Sequence, residues 1–326
     1  MKRLVPAICA IGVLLASPVA QAKEKITFGY LLSPIYESFI YPIKAGIIKS
    51  DTIEVVGTPL SVAASIQATA TKQFDVVTTS AFAVPTAYSK GLEVKIMSTA
   101  IRYRKDGLGA NLWVKNDSPF KSVKDLKGKT IGVSSFNASN ATLTRIAIKN
   151  VYGMDVKFDG GDFQWVQMPE SSAPAALQTG KIDASNMLHT QALQAINSKT
   201  FRELMNPIAD LYKKYQVEAV TAVQVSYPER LAEKPEAYRE FNRMLKASVD
   251  YTMSHIDEVS KAVAKGKLEE SFLKDWLEHV GSFPGAVSDG DIKALEVTWK
   301  SAKDLGIIPS YPGADKVVWE HAVRTR

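Results

Sequence analysis

The residues with chemical potential in this chain are mostly hydroxyls, and they recur at one kind of place. The stretch 129–148, KTIGVSSFNASNATLTRIAI, opens on Thr130-Ile131-Gly132-Val133, an apolar run that predicts a buried strand. Ser134, Ser135, Phe136, Asn137, Ala138, Ser139 and Asn140 follow, all small or polar except Phe136, and 141–148 carries apolar residues at helical spacing. A strand that tips through hydroxyls into a helix leaves free backbone N–H groups at the positive end of a helix dipole, which suits an anion or a polar ligand. An ordinary strand-to-helix turn with a Ser or Asn cap requires the same residues. The same pattern returns at 32–36 with Ser33 and Tyr36, at 59–64 with Ser61 as an N-cap, and at 78–84 with Ser80, Ala81 and Phe82.

Other side chains could add charge or walls to such turns. His189 has an unperturbed pKa near neutrality and could pair with an anion, or simply be a helix-start histidine with satisfied partners. Arg102 and Arg104 follow a predicted strand end and could reach a carboxylate or sulfonate, or stay solvated. Tyr36, Phe82 and Phe136 could wall a pocket for an apolar or aromatic ligand body, with core packing as the competing role.

Several chemistries are disfavoured. Lys2 and Arg3, the apolar run 4–15 and Ala20-Gln21-Ala22 before Lys23 predict a cleaved signal peptide over 1–22, too short in its apolar part to span a membrane. The single cysteine, Cys9, lies inside it, so the expected mature chain has no disulfide, thiol nucleophile or cysteine-ligated metal. His255, His279 and His321 show no metal-ligand spacing, and no G-x-S-x-G elbow is present; no cofactor and no metal are expected. Without Lys2 and Arg3 the 40 basic residues become 38 against 34 acidic, a net charge of +4, with no dense basic run. Nucleic acid is therefore an unlikely partner, and a small anionic solute fits the slight excess.

The elements that must hold these turns alternate. Strands are predicted at 26–31, 53–56, 74–77, 94–97, 110–115, 130–133 and 163–166, with helical patterns between most of them. This spacing predicts an α/β fold of largely parallel sheets. The expected mature chain, 326 − 22 = 304 residues, also exceeds one comfortable core. Pro59, Ser61 and Ala63 match Pro169, Ser171 and Ala173 at a constant offset of 110 residues. Asp75 matches Asp183 at 108, and Gly29 matches Gly132 at 103. Two related lobes follow, with ligand beyond the strand ends between them. The stretch 217–227 is β-rich and the remainder is helical in pattern. The expected organisation is lobe I over 23–109, lobe II over 110–216, and a return to lobe I over 217–326, with 110–115 and 217–227 as crossing strands.

ITFGY at 26–30, KGLEVKIM at 90–97, SVKDLKGKTIGV at 122–133, AALQTGKIDA at 175–184, the leader and the helical tail together resemble one family. They resemble the periplasmic substrate-binding proteins of ABC importers, of the sulfonate/nitrate/taurine type, related to the thiamine-pyrimidine-precursor binding proteins. The resemblance implies a type II periplasmic binding protein fold, two lobes each built on a mainly parallel sheet flanked by helices, with a ligand cleft between them. It implies a binding protein, not an enzyme, that works as a monomer and closes on a small organic anion of the sulfonate or carboxylate class. The partner would be an inner-membrane permease and the compartment the periplasm. The ligand-holding turns would be Ser33 to Tyr36, Ser61 with Val62, Ser80-Ala81-Phe82, Ser135-Phe136-Asn137-Ala138 and the stretch after Asp183. Where the family often carries a Trp-Glu-Pro-like sequence, this chain has Leu188-His189-Thr190, which removes an aromatic and an acid from the expected pocket. A neutral heterocycle such as a pyrimidine precursor is the alternative ligand, and an exported enzyme on the same fold the alternative class.

Overall fold

The computed structural model describes residues 22–105, 107 and 111–325. The leader expectation, apart from Ala22, lies outside them. Two sheets organise the chain. The first has the order β11-β4-β10-β3-β1-β2, from β1 (Glu24–Leu31), β2 (Ile53–Leu60), β3 (Val76–Ser80), β4 (Lys95–Tyr103), β10 (Val220–Ser226) and β11 (Gly281–Ser282). The second has the order β7-β6-β8-β5-β9, from β5 (Leu112–Lys115), β6 (Thr130–Val133), β7 (Gln164–Gln167), β8 (Ala184–Asn186) and β9 (Phe201–Met205). Each sheet has a parallel run, β2-β1-β3 in one and β7-β6-β8 in the other, with antiparallel strands β10 and β5 beside it. Strand β2 is longer than its apolar run and takes in Pro59. It can do so because it is an edge strand, where a missing N–H breaks no essential ladder bond.

The weak sequence repeat has a physical basis. Asp75 Oδ2 accepts the backbone N–H of Thr27 at 2.8 Å, and Asp183 Oδ2 accepts that of Thr130 at 2.9 Å. Two residues further along each of those strands stands a glycine. A Cβ on Gly29 would come within 2.8 Å of Leu60 Cδ1, and one on Gly132 within 2.8 Å of Ile182 Cδ1. The two lobes therefore tie their leading strand with the same carboxylate and cover it with the same close apolar contact.

Neither stretch expected to cross between lobes does so as a strand. β5 pairs only within the second sheet and β10 only within the first. Residues 106 and 108–110, before β5, lie outside the described residues. Gly107 lies so close to the backbone that an added Cβ would meet Val280 O at 2.3 Å.

Helix α4 (Ser139–Tyr152) is the spine between the lobes. All residues from Ser139 to Ile148 are buried, so this helix has no solvent face over its first ten positions. Its start docks into lobe I. Ser139 Oγ donates to Thr221 O at 2.6 Å, accepts from Ala81 N at 3.1 Å, and lies 2.8 Å from Ser80 Oγ. From the tail, Trp299 on α12 (Asp289–Asp304) donates its indole N–H to Ala81 O at 3.1 Å. Ser139→Ala would remove buried hydrogen bonds across this seam, while Ala81 N–H keeps its 3.0 Å bond to Thr221 O and Ser80 Oγ its 3.0 Å bond to Asn137 O. We expect it to lower unfolding free energy by about 0.5–1.5 kcal/mol, measured by urea denaturation, the usual net worth of a buried hydrogen bond.

Candidate functional site

The cleft has a mouth and a floor. At the mouth, a cavity of about 400 Å³ lies between Ser61, Val62 and Ala63 of lobe I and Gln167 to Ser171 of lobe II. These are the two turns matched at the 110-residue offset, and they face each other. The floor is a smaller cavity of about 50 Å³, lined among others by Tyr36, Ser80, Tyr103, Ala138, Asn140 and Leu188. Val62 lines both. A third space of about 10 Å³ runs behind Ser134 and Glu170 into lobe II.

Local structure accounts for where the side chains point. Tyr36 sits in the first turn of α1 (Pro34–Lys44), and its ring meets Phe283 edge-on at 5.7 Å. Tyr103 ends β4 and is backed by Trp276, edge-on at 6.0 Å. Glu170 opens a single turn of 3₁₀ helix after Pro169. Its residue surface is partly exposed, yet Oε1 is sealed from solvent and has no hydrogen-bond partner. Burial holds this carboxyl above its usual range. Burial also raises the Tyr36 phenol well above its usual range, with smaller contributions from Tyr103 and Glu170. Tyr103 is raised too, by burial first and then by Glu170. The carboxyl of one lobe thus acts electrostatically on two neutral phenols of the other.

The expected site residues take several roles, and Ser61 and Ser80 each take two. Tyr36, Ser61, Val62, Ser80 and Ala138 line the cleft. Ser33, Ser61 and Ser135 are engaged locally: Ser33 Oγ accepts from Ile35 N at 3.2 Å, Ser61 Oγ from Ala64 N at 3.2 Å, and Ser135 Oγ from Asn137 N at 3.3 Å. Ser80 and Ala81 belong to the seam with Ser139, and Asn137 accepts a 3.0 Å bond from Ser80 Oγ there through its carbonyl. Phe82 is core, at 1% exposure, and Phe136 packs on Phe158 with ring centroids 4.4 Å apart. Arg102 is turned away from the cleft. It binds the fully buried Asp291 at 3.0 Å and lies 3.5 Å from Glu218, because β4 continues past it and directs it toward α12. His189 begins α6 (His189–Ser198), and its side chain lies outside the described residues.

Tyr103, Asn140, Leu188 and Glu170 also line the cavities, beyond the residues expected from sequence. Strand alternation carries the signal for Tyr103: with the β-rich run continued through 98–103, the residue after Arg102 falls on the opposite face. The signal for Glu170 was its place inside the repeat-matched turn. Among the described residues that line the three cavities there is no Lys or Arg. No group of three or more His, Cys, Asp or Glu able to hold a metal occurs among the described residues, and no described helix is long and apolar enough to cross a membrane.

Two α/β lobes with a cleft between facing turns define the periplasmic binding protein fold. The E. coli periplasmic aliphatic sulphonate binding protein SsuA superposes with a TM-score of 0.69 at 15% identity, covering 92% of this chain and 99% of its own. The alkanesulfonate-binding SsuA of Xanthomonas axonopodis pv. citri, bound to MOPS, gives 0.72 at 14% identity, with 93% and 100% covered. A Candida albicans gene product described as having the generic periplasmic binding protein fold gives 0.69 at 15%, with 93% and 98% covered. No curated protein sequence matches the chain. Residues 45–259 match the NMT1/THI5 like family model, and the chain belongs to that family.

The raised Glu170 carboxyl sets a pH dependence. The folded chain binds this proton more tightly than the unfolded chain, so its contribution is favourable at low pH and is lost as pH rises through the folded pKa. Stripped of solute, Glu170→Gln should therefore melt higher than the parent at pH about 7, with the gap shrinking toward pH about 4, as followed by circular dichroism.

Proposed function

We propose that this chain is the periplasmic solute-binding component of an ABC importer. It captures a small organic solute by closing lobe I (23–109 with 217–326) on lobe II (110–216), then presents the closed form, as a monomer, to an inner-membrane permease. The observation that carries this reading is the cavity of about 400 Å³ held between equivalent turns of two lobes, a size typical of small-ligand sites. The family and the fold support the same reading. The described lining offers hydroxyls, amides, phenols and one carboxyl, suited to holding a solute and lacking an evident nucleophile–base pair.

The charge of the solute is the finer question. Helix-start N–H groups at Val62 and Ala63 support an anion of the sulfonate or carboxylate class. The engagement of Arg102 with Asp291, the two buried phenols and the carboxyl at the mouth favour the second reading, a solute without net negative charge such as a neutral heterocycle. A negative solute would have to approach Glu170 with no cationic side chain among the described lining residues, which costs Coulomb energy in a low-dielectric cleft.

Two measurements test the proposal. Small-angle scattering should show a smaller radius of gyration when the protein is saturated with solute recovered from periplasmic extract, and an unchanged radius would count against lobe closure. Mass spectrometry of the exported protein should place its N-terminus at Lys23; an intact Met1 in the membrane fraction would remove the periplasmic assignment.

A further inference from the structure

We infer that Tyr215 and Ser301 form a brace behind the cleft that opposes its closure, so that the resting separation of the lobes is set by residues that never meet the solute. This inference rests on the lobe-closing reading of the same cleft.

Helix α4 places the brace. Asn140 in its first turn lines the cleft floor, and Asn150 lies about 15 Å further along the helix, at about 1.5 Å per residue. There Asn150 Nδ2 donates to Tyr215 OH at 2.7 Å, and Lys214 Nζ donates to Asn150 O at 2.9 Å. Tyr152 OH donates to Asp210 Oδ2 at 2.9 Å. These three bonds fasten α7 (Pro207–Tyr215) to α4 within lobe II. Helix α12 is held to lobe I instead, by Asp291 on Arg102 of β4 at 3.0 Å and by Trp299 on Ala81 O at 3.1 Å. Between the two units Ser301 Oγ donates to Tyr215 OH at 3.1 Å.

The position of this bond makes it a lever arm. The seam of Ser80, Ser139 and Thr221 stands between it and the cleft mouth. A rotation about that seam that brings Ser61–Ala63 toward Gln167–Ser171 swings the far end of α4, with α7, away from α12. The mouth has room for the motion. Among the described residues no hydrogen bond joins those two turns, a cavity of about 400 Å³ separates them, and Leu32 on its lining is 65% exposed.

The rear contact is also narrow. A further cavity of about 320 Å³ parts α7 from α12, with Tyr212 and Gln216 on one side and Arg102, Gly290 and Lys293 on the other. Helix α4 touches α12 as well, so the rear is a small interface of which the Tyr215–Ser301 bond is the directional, polar part. Hydroxyls drawn apart beside a polar cavity regain water, which keeps the brace breakable.

The test uses the full mature protein stripped of solute, spin-labelled at Gln67→Cys and Gln178→Cys. These are exposed positions on α2 (Val62–Thr71) of one lobe and α5 (Ala173–Gln178) of the other. Labelling is specific because the chain's single cysteine, Cys9, lies in the expected leader. Pulsed electron paramagnetic resonance reads the distance between the labels as periplasmic extract is added. The parent distance should shorten, and Ser301→Ala should reach half of that shortening with about two- to tenfold less extract, the equivalent of one hydrogen bond. Tyr215→Phe should move the same way and decides the question should Ser301→Ala fail to unfold cooperatively in urea. An equal or larger requirement for extract overturns the brace; a lower urea midpoint with an unchanged requirement assigns the bond to stability alone. No shortening in the parent would count against lobe closure itself, and the brace would fall with it.

Discussion

The two lobes meet at a seam of paired hydroxyls, Ser80 and Ser139. Ser139 Oγ donates its proton to Thr221 O, accepts the Ala81 N–H and lies 2.8 Å from Ser80 Oγ, whose own proton goes to Asn137 O. A buried hydroxyl at 5% exposure that both donates and accepts is directional, so it fixes where α4 enters the seam. The buried length of α4 then extends the alignment, and Tyr215 OH continues it, bonded to Asn150 on α4 and Ser301 on α12. Everything at the cleft floor inherits its position from this seam. Asn140 is the next residue of α4, and Ser80 is both floor and latch.

That dual use explains a mismatch between residue type and role. Hydroxyls beyond strand ends look like ligand donors, yet Ser33, Ser61 and Ser135 serve their own turns, and Ser80 serves the seam. Capping costs no inter-element geometry and so is the first demand a Ser at a helix start meets. The side chains left to line the cavities are longer ones, Tyr36, Tyr103, Asn140 and Glu170. Tyrosine in particular combines a packed ring with a polar tip, so Phe283 and Trp276 can hold the rings from behind while the hydroxyls remain near the cleft.

The fold was largely legible because its signals are local and periodic. The strand and helix alternation, the Ser61 cap and the Gly29/Gly132 and Asp75/Asp183 matches each correspond to a contact in the structure. The site was less legible because its members depend on non-local facts. Strand β4 runs on to Tyr103 because β10 and β11 pair with it, and both come from more than 100 residues later. That extension sends Arg102 to Asp291, which the local sequence 98–104 cannot show. The same extension leaves Tyr103 on the opposite face, at the floor.

Glu170 shows how a binding cleft departs from a folding rule. Consistency across local and tertiary levels favours an apolar residue or a paired charge at a sealed position. Leu60 follows that preference in lobe I, and Glu170 does not in lobe II. Burial raises the carboxyl above its usual range, and Oε1 still lacks a partner. Its neighbours do not relieve it, since Tyr36 and Tyr103 are themselves held neutral by burial and are raised further by the same carboxyl.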